Sequence, residues 1–291
     1  MKKVGVVARK ELHGAAGVLA HIAGWLQARR IQTVFDTDTA VLAGVPKDWP
    51  IATRDDLPKY VDLLVVLGGD GTLLGMAGRI ARAGVNLPIL GINFGSLGFL
   101  TEVTLEEIED ALTAALEGTA VVEERMTLRG QVMRQGAAAD DRIVLNDIVV
   151  NRGSLSRIVD MSITIDGQPV THIRADGLIV TTPTGSTAYN LAAGGPIVHP
   201  AVEALVVTPI APHTLSYRPI VIPGTSEVRI KPLVEGGSDE LYATFDGQHG
   251  VPLEPGDEVV VKQSPRRLRL MRGASRTYFD VLRQKLMWGQ R

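Results

Sequence analysis

The segment from Val65 to Gly78, VVLGGDGTLLGMAG, places an aspartate in the middle of a glycine loop. Glycines in such a loop let backbone N–H groups approach an anion, whereas a carboxylate at the same place repels it. Both features fit one site if a phosphate and an alcohol meet there, because a carboxylate can accept the alcohol's proton as its oxygen attacks phosphorus. We therefore expect a phosphate loop with Asp70 as the proton acceptor. The loop residues are Gly68, Gly69, Gly71 and Thr72.

A simpler interpretation of the loop is a strand-to-helix turn with an aspartate cap. The loop is not a Walker P-loop, since no G-x-x-x-x-G-K-[ST] string occurs, and Leu74 stands where a dinucleotide fingerprint has its third glycine. If phosphates do bind here, a divalent cation carried in with a nucleotide, Mg²⁺ or Mn²⁺, offsets the repulsion by Asp70. No metal site of the chain's own is expected, because its six histidines show no metal-ligand spacing.

Two further polar strings could bind a ligand. Asn146-Asp147 interrupts the β-like run IVLNDIVV, so one of the two side chains faces inward unless a bulge intervenes. Its partner would be either a ligand hydroxyl or a buried backbone group. The hydroxyl-rich turn Pro183–Tyr189 offers donors to a sugar or a phosphate and predicts a short helix from about Thr187. Tyr189 could stack on a base; the alternative is a helix cap with a core tyrosine.

Two more stretches are less specific indicators of function. The second glycine loop, Gly91 to Gly98, could form a wall of the phosphate pocket or be only a tight turn. The locally basic stretch Pro265–Arg272 alternates in polarity, which favours an exposed strand rather than a nucleic-acid interface.

The elements that must position the glycine loop follow an α/β pattern. Residues 3–8, 32–36, 62–69 and 87–93 are predicted strands, and the last two are apolar almost throughout, as in a parallel sheet buried on both faces. Helices are predicted over 15–30, from Leu73 to Ala83, and after the capping box Thr104–Glu107 with a stop at Gly118. This alternation predicts a Rossmann-like, doubly wound domain with the glycine loop at the carboxyl edge of its sheet.

After about residue 121 the pattern changes to short alternating runs that are separated by Gly, Asp and Pro. Such runs predict an all-β, sandwich-like domain. We expect residues 1–121 and the returning tail 270–291 to form the α/β domain, and residues 122–269 to form the β-rich domain.

Composition excludes several classes of protein. The 291 residues carry a net charge of −2, so a broad basic field for nucleic acid is absent. The chain has no cysteine, which rules out disulfides and fits a reducing cytoplasm. No run of 18 apolar residues occurs, so we expect no membrane partner.

One long string in the second half of the sequence resembles a known family. The stretch from Asp176 to Pro200, DGLIVTTPTGSTAYNLAAGGPIVHP, closely resembles the NAD kinase family, as do Leu145-Asn-Asp147 and Ala211–Ile220. The resemblance covers essentially the whole chain, in the family's order and spacing. It implies an N-terminal α/β domain, a C-terminal β-domain that binds NAD, and a site between them.

The resemblance also implies a reaction and a set of residues. The reaction is transfer of a phosphoryl group from ATP to the 2′-hydroxyl of the adenosine ribose of NAD⁺, with Asp70 as proton acceptor, in a cytoplasmic homodimer or homotetramer with some contacts that cross between subunits. The implied NAD contacts are Asp70, Gly71, Asn146, Asp147, Arg157, Arg174, Asp176, Thr187, Ala188, Tyr189, Asn190, Leu191, Ala192 and Gln248.

Departures from the family pattern are small. Asp147 replaces the more frequent glutamate and shortens that arm by one methylene, and Arg174 resembles the variant that is associated with preference for NAD⁺ over NADH. Two rival functions share the loop. A lipid kinase would need an apolar acceptor cavity or a membrane-binding face, and the chain shows no amphipathic basic helix. A nucleotide sensor without chemistry would gain nothing from Asp70.

Overall fold

The structure, a computed structural model, describes residues 1–153, 158–214, 216–233, 241–273 and 275–289. The chain divides into two compact units, one made of Met1–Glu124 and Leu268–Arg291 and the other of Arg125–Arg267. The limits that the sequence predicts for the α/β domain are 1–121 and 270–291. The assignment of NAD binding to the second unit stays a prediction.

Seven of the described strands form the sheet of the first unit. They are β1 (Lys3–Ala8), β2 (Gln32–Asp36), β3 (Ile51–Ala52), β4 (Leu63–Gly68), β5 (Pro88–Asn93), β6 (Val122–Arg125) and β19 (Leu268–Met271). Their order is β3-β2-β1-β4-β5-β19-β6, and the pairs from β3 to β19 are parallel. The carboxyl ends of β1, β2, β4 and β5 therefore lie at one edge of the sheet.

The described helices of this unit are α1 (Ala15–Ala28), α2 (Thr37–Ala43), α3 (Asp70–Ala83), α4 (Ile108–Glu117) and α6 (Tyr278–Lys285). They include helices on both faces of the sheet. One core joins α1 and α4 to alternate residues of β1, β4 and β5. The opposite face carries α3, since a Cβ atom built on Gly91 would lie 2.8 Å from Leu73 Cδ1. The doubly wound α/β architecture that the sequence predicts is thus confirmed.

The second unit contains two antiparallel sheets. The strands of the first sheet are β7 (Leu128–Arg134), β8 (Ala137–Val144), β10 (Val159–Ile165), β11 (Gln168–Ala175), β15 (Val228–Pro232) and β18 (Glu258–Gln263), in the order β11-β10-β15-β18-β7-β8. The strands of the second sheet are β9 (Asp147–Arg152), β12 (Gly177–Thr181), β13 (Ala204–Ile210), β14 (Ile220–Pro223), β16 (Leu241–Phe245) and β17 (His249–Leu253), in the order β14-β13-β12-β9-β16-β17.

Both sheets contribute to one apolar core. Alternate residues point into it, such as Val228 and Ile230 from the first sheet and Ile148 and Val150 from the second. This explains the alternation of apolar and polar residues in the sequence, because successive side chains of a strand face opposite sides of the sheet. The prediction of a β-rich, sandwich-like C-terminal domain is confirmed.

Three local predictions need comment. The helix expected from Leu73 begins at Asp70, which puts the acid in the first turn of α3. The capping box at Thr104 and Glu107 is confirmed, and α4 ends at Gly118 with φ 76°. The exposed strand expected within 265–272 is wrong: β19 lies between β5 and β6, where Leu268, Leu270 and Met271 are buried. Among the described helices, none combines the length and the apolar character that a membrane crossing requires.

Candidate active site

Asp70 lies where β4 ends and α3 begins. Gly69 precedes the helix in an extended conformation, and no described side chain caps this end of α3. Gly68 has φ 155°, a backbone conformation that favours glycine. Cβ atoms built on Gly69 and Gly71 would meet no described atom within 4 Å. The absence of side chains thus leaves the backbone open at a helix N-terminus, which suits a phosphate.

The carboxylate of Asp70 binds the loop that follows β5. Its Oδ1 accepts hydrogen bonds from the N–H of Leu100 (3.0 Å), the N–H of Thr101 (3.0 Å) and the hydroxyl of Thr101 (2.9 Å). Its Oδ2 accepts one hydrogen bond, from the N–H of Phe99 at 2.8 Å. Since a carboxylate oxygen has two lone pairs, Oδ1 is fully occupied, and Oδ2 is the atom that can take up a proton.

Gly98 allows the close approach of this loop to Asp70. A Cβ atom built there would overlap Asp70 Oδ1 and Thr101 Oγ1. The loop also closes on itself through the Gly98 N–H, which donates to the carbonyl oxygen of Thr101 at 3.0 Å. The second glycine loop is therefore the support that orients Asp70. Its predicted role as a wall of a phosphate pocket stays a prediction.

In the second unit, Asn146 and Asp147 lie where the chain passes from β8 to β9. Both are buried, and Asn146 has 8% of its surface exposed. Asn146 Oδ1 has no hydrogen-bond partner among the described residues. A buried acceptor without a donor costs free energy, so this atom favours a ligand that carries a hydroxyl or amine donor.

The backbone of this dipeptide is held by the turn that follows β12. The Thr182 hydroxyl donates to the Leu145 carbonyl oxygen at 2.7 Å, and the Thr181 hydroxyl donates to the Asn146 carbonyl oxygen at 2.9 Å. Gly185 packs so closely that a Cβ atom there would lie 2.5 Å from the Asn146 carbonyl oxygen. The two predicted polar strings are thus brought together in one place.

Two carboxyl groups near this point have unusual pKa values. Burial, with a smaller contribution from the charge of Asp246, raises the pKa of Asp147 to about 7. Burial also raises the pKa of Asp246 to about 6, although three backbone N–H donors act in the opposite direction. Burial therefore keeps both carboxyl groups neutral to a higher pH than an exposed aspartic acid.

The segment from Thr187 to Ala192 forms the end of a 3₁₀ turn and the short helix α5 (Tyr189–Ala192). Tyr189 is 43% exposed, as a ring that stacks on a base requires. The side chain of Asn190 is fully buried: its Nδ2 donates to the carbonyl oxygens of Ser186 and Pro196, and its Oδ1 accepts from Thr208. Any contact of Asn190 with NAD would therefore involve its backbone. Thr187, Ala188 and Leu191 are partly buried, and Ala192 is exposed.

The remaining predicted residues are spread over the second unit. Gln248 is exposed in the β16–β17 turn, near the Asn146 end of the sheet. Asp176 lies just before β12, at the end of that strand opposite Thr181 and about 17 Å from it at ~3.3 Å per residue. Arg174 belongs to β11, in the other sheet. The Arg174 guanidinium pairs with Asp160 at 3.1 Å. Arg157 lies outside the described residues.

Asp246, Thr101 and the role of Gly98 were not predicted from the sequence. Asp-Gly is common in hairpin turns, so a turn alone accounts for Asp246-Gly247 and the sequence indicates no contact with a distant segment. The description of residues 91–98 as a glycine loop contained Gly98 but not its partner Asp70, which is 28 positions away in the sequence. Within the described ranges, no group of three or more His, Cys, Asp and Glu side chains could hold a metal ion.

Comparison with protein families gives two matches that together cover most of the chain. Residues 4–120 match the family described as the ATP-NAD kinase N-terminal domain. Residues 145–273 match the ATP-NAD kinase C-terminal domain.

Similar proteins and structures carry related names. The chain is 44% identical to the NAD kinase of Geotalea daltonii and 44% identical to that of Geobacter sulfurreducens, in each case over the full length of both chains. Among solved structures, yeast NADH kinase complexed with NADH aligns with a TM-score of 0.87 and 24% identity, over 100% of this chain and 89% of that one. An NAD kinase from Archaeoglobus fulgidus in complex with ATP aligns with a TM-score of 0.75 and 26% identity, over 97% and 99%.

Proposed function

The chain belongs to the ATP-NAD kinase family, and on this basis we propose which of its residues carry out the reaction of an NAD kinase. The enzyme transfers the γ-phosphoryl group of ATP to the 2′-hydroxyl of the adenosine ribose of NAD⁺, and the products are NADP⁺ and ADP. The new bond joins O2′ to Pγ, the bond from Pγ to the bridging oxygen of ADP breaks, and the hydroxyl proton leaves O2′.

Asp70 is the acceptor of that proton in our proposal. The supporting observation is the carboxylate itself: it lies in the first turn of α3, beside glycines whose backbone no described side chain covers, and its Oδ2 keeps one acceptor direction. The phosphates of ATP would bind at Gly68, Gly69, Gly71 and Thr72. General-base help of this kind contributes roughly 10²–10⁴-fold in rate.

The dinucleotide would bind to the second unit. The buried Oδ1 of Asn146, which lacks a partner among the described residues, and the carboxyl of Asp147 are suited to hydroxyl and amine donors of NAD⁺. Tyr189 would supply an aromatic surface for a base. A divalent cation, Mg²⁺ or Mn²⁺, would enter as part of the ATP substrate and neutralise phosphate charge.

The activity is tested with the purified chain. Incubation with Mg²⁺, ATP and NAD⁺ should produce NADP⁺, which glucose-6-phosphate dehydrogenase detects by its reduction to NADPH. Parallel reactions with NADH and with polyphosphate determine the acceptor and donor preferences. If no NADP⁺ forms with either donor, the proposed assignment of residues loses its basis.

The role of Asp70 is tested by Asp70→Asn. We expect kcat to fall by roughly 10²–10⁴-fold because asparagine cannot take up the hydroxyl proton. The KD for NAD⁺, measured by calorimetry, should change little. The introduced side-chain amide places an N–H donor against the N–H of Phe99. The melting temperature is therefore measured to distinguish a loss of folding from a loss of catalysis. An unchanged kcat in a folded variant would remove Asp70 from this role.

We also propose that the enzyme is a homodimer or homotetramer in which Arg174 and Asp176 contact NAD bound mainly by another subunit. The position of Asp176 at the far end of β12 from Asn146, and that of Arg174 on β11, support this arrangement. Light scattering coupled to size-exclusion chromatography measures the subunit number, and a monomer with full activity would contradict the proposal. The cysteine-free chain also supports a cytoplasmic location, which cell fractionation can test.

A further inference from the structure

Asp246, in the turn of the β16–β17 hairpin, binds a segment that lies far away in the sequence. Its Oδ2 accepts a hydrogen bond from the N–H of Leu145 at 2.8 Å. Its Oδ1 accepts from the N–H of Asn146 at 2.7 Å and from that of Asp147 at 3.1 Å. The N–H of Asp246 donates in turn to the Asp147 carbonyl oxygen at 3.0 Å. One residue thus fixes three consecutive N–H groups.

The carbonyl groups of the same segment are fixed from the other side. The Thr182 hydroxyl donates to Leu145 O at 2.7 Å, and the Thr182 N–H donates to Asn146 O at 2.8 Å. Every backbone polar group of Leu145 and Asn146 therefore has a partner inside the unit. Asn146 Oδ1 is a buried polar atom without one among the described residues.

We propose that Asp246 is a positioning residue for NAD⁺ binding: it holds Asn146 and Asp147 in their binding geometry without contacting the dinucleotide. This inference rests on the proposed NAD-binding role of Asn146 and Asp147. The physical reason is preorganisation. Without the carboxylate, the link between β8 and β9 would have three N–H groups without acceptors, and binding would have to order it.

The variant Asp246→Asn tests the proposal while it keeps the backbone. Asp246 has φ 51°, a conformation that asparagine tolerates. Asparagine replaces one of the two carboxylate oxygens by an NH₂ group, which faces a backbone N–H and cannot accept its hydrogen bond. The chain offers a matched control in Asp166→Asn. Asp166 also precedes a glycine at a hairpin tip, has φ 50°, and accepts the Glu227 N–H at 2.8 Å, but it touches none of the proposed NAD contacts.

We expect Asp246→Asn to raise KM for NAD⁺ roughly tenfold or more, with KM for ATP and kcat within about twofold of wild type. Asp166→Asn should leave all three constants unchanged. Melting temperatures identify a variant that fails to fold. In that case Thr182→Val, which removes the hydroxyl bond to Leu145, provides the second test and should raise KM for NAD⁺ selectively.

A double-mutant cycle separates positioning from a general structural role. If Asp246 acts through Asn146, the change Asp246→Asn should raise KM for NAD⁺ far less in an Asn146→Ala background than in wild type. Equal effects in the two backgrounds, or an Asp246→Asn variant that behaves like Asp166→Asn, would overturn the inference. If instead Asn146→Ala alone leaves KM for NAD⁺ unchanged, the proposed binding role of Asn146 fails.

Discussion

At the scale of single residues, the two acids proposed for catalysis and for NAD⁺ binding have opposite surroundings. Asp70 is surrounded by donors: three backbone N–H groups and one hydroxyl bind its carboxylate. Asp147 is buried close to a second carboxyl, and its pKa is raised to about 7. Burial favours the neutral acid at Asp147, whereas the hydrogen bonds to Asp70 orient its carboxylate.

The titration of Asp147 predicts a pH-dependent stability. Below the ordinary pKa of 3.8 its contribution is fully present, and it is lost as pH rises toward the folded-state value of about 7. In this window the folded chain holds a proton that the unfolded chain has released, so unfolding free energy falls by up to ~1.4 kcal/mol per pH unit. Asp147→Asn removes this dependence.

Thermal denaturation from about pH 5 to about pH 8 measures the effect. The melting temperature of Asp147→Asn relative to wild type should rise from about pH 5 to about pH 7 and level off above it. A constant offset for Asp147→Asn would show that Asp147 does not titrate in this window.

Tyr189 is predicted to contribute to NAD⁺ binding through its exposed ring. We expect Tyr189→Ala to weaken NAD⁺ binding by ~1–3 kcal/mol, the range for one base stacked on an aromatic side chain, and to affect ATP binding less. Calorimetric titration with each nucleotide measures the two affinities. Tyr189→Phe, which keeps the ring, should bind NAD⁺ normally. Equal losses for NAD⁺ and ATP in Tyr189→Ala would contradict the stacking role.

At the scale of elements, the loop after β5 depends on α3 and on the C-terminal helix. The first turn of α3 supplies Asp70, which binds residues 99–101. The ammonium group of Lys285, in α6, lies 5.8 Å from the centre of the Phe99 ring. Residues 99–101 therefore contact two elements that are far from them in the sequence.

Gly98→Ala should disturb this arrangement, because the added methyl group would overlap Asp70 Oδ1 and Thr101 Oγ1. We expect kcat to fall at least tenfold and the melting temperature to fall with it, since either the loop or the carboxylate must move. Gly78→Ala is the control: its Cβ would meet no described atom within 4 Å, and alanine stabilises a helix by ~0.5–1 kcal/mol relative to glycine. Wild-type kcat in Gly98→Ala would show that the loop relocates without consequence.

At the scale of the whole molecule, the chain returns to its first unit after it has formed the second. β19 and α6 complete the first unit. A buried ion pair holds the returning segment in place: the Arg272 guanidinium binds the carboxylate of Glu102 through two N–H groups, and it binds Glu123 at 3.0 Å. The Gly273 N–H also donates to Glu102, at 2.9 Å.

Arg272→Met should lower the unfolding free energy by ~3–5 kcal/mol, because it leaves Glu102 buried without its partner. Urea denaturation measures the loss. Arg267→Met removes the same kind of side chain from a more exposed pair with Glu203, and should cost less than ~1 kcal/mol. Equal losses of unfolding free energy in the two variants would mean that the buried ion pair stabilises the chain no more than the more exposed one.

The sequence predicted the fold well wherever a local pattern determines structure. The apolar runs at 62–69 and 87–93 indicated buried parallel strands, and alternation after residue 121 indicated the β-domain. It failed where long-range pairing decides: Arg269 makes β19 resemble an exposed strand, yet β5 and β6 bury its neighbours. The partners of Asp70 and Asp246 were missed for the same reason, since those contacts join residues about 30 and 100 positions apart.

The position of β19 has a consequence for biosynthesis. The ribosome produces the chain in order, so the gap between β5 and β6 is filled only after residue 271 has left the exit tunnel. The unit Arg125–Arg267 is one uninterrupted stretch and is available for folding earlier. Until β19 has emerged, β5 and β6 each present an unpaired strand edge, so this interval carries a risk of aggregation.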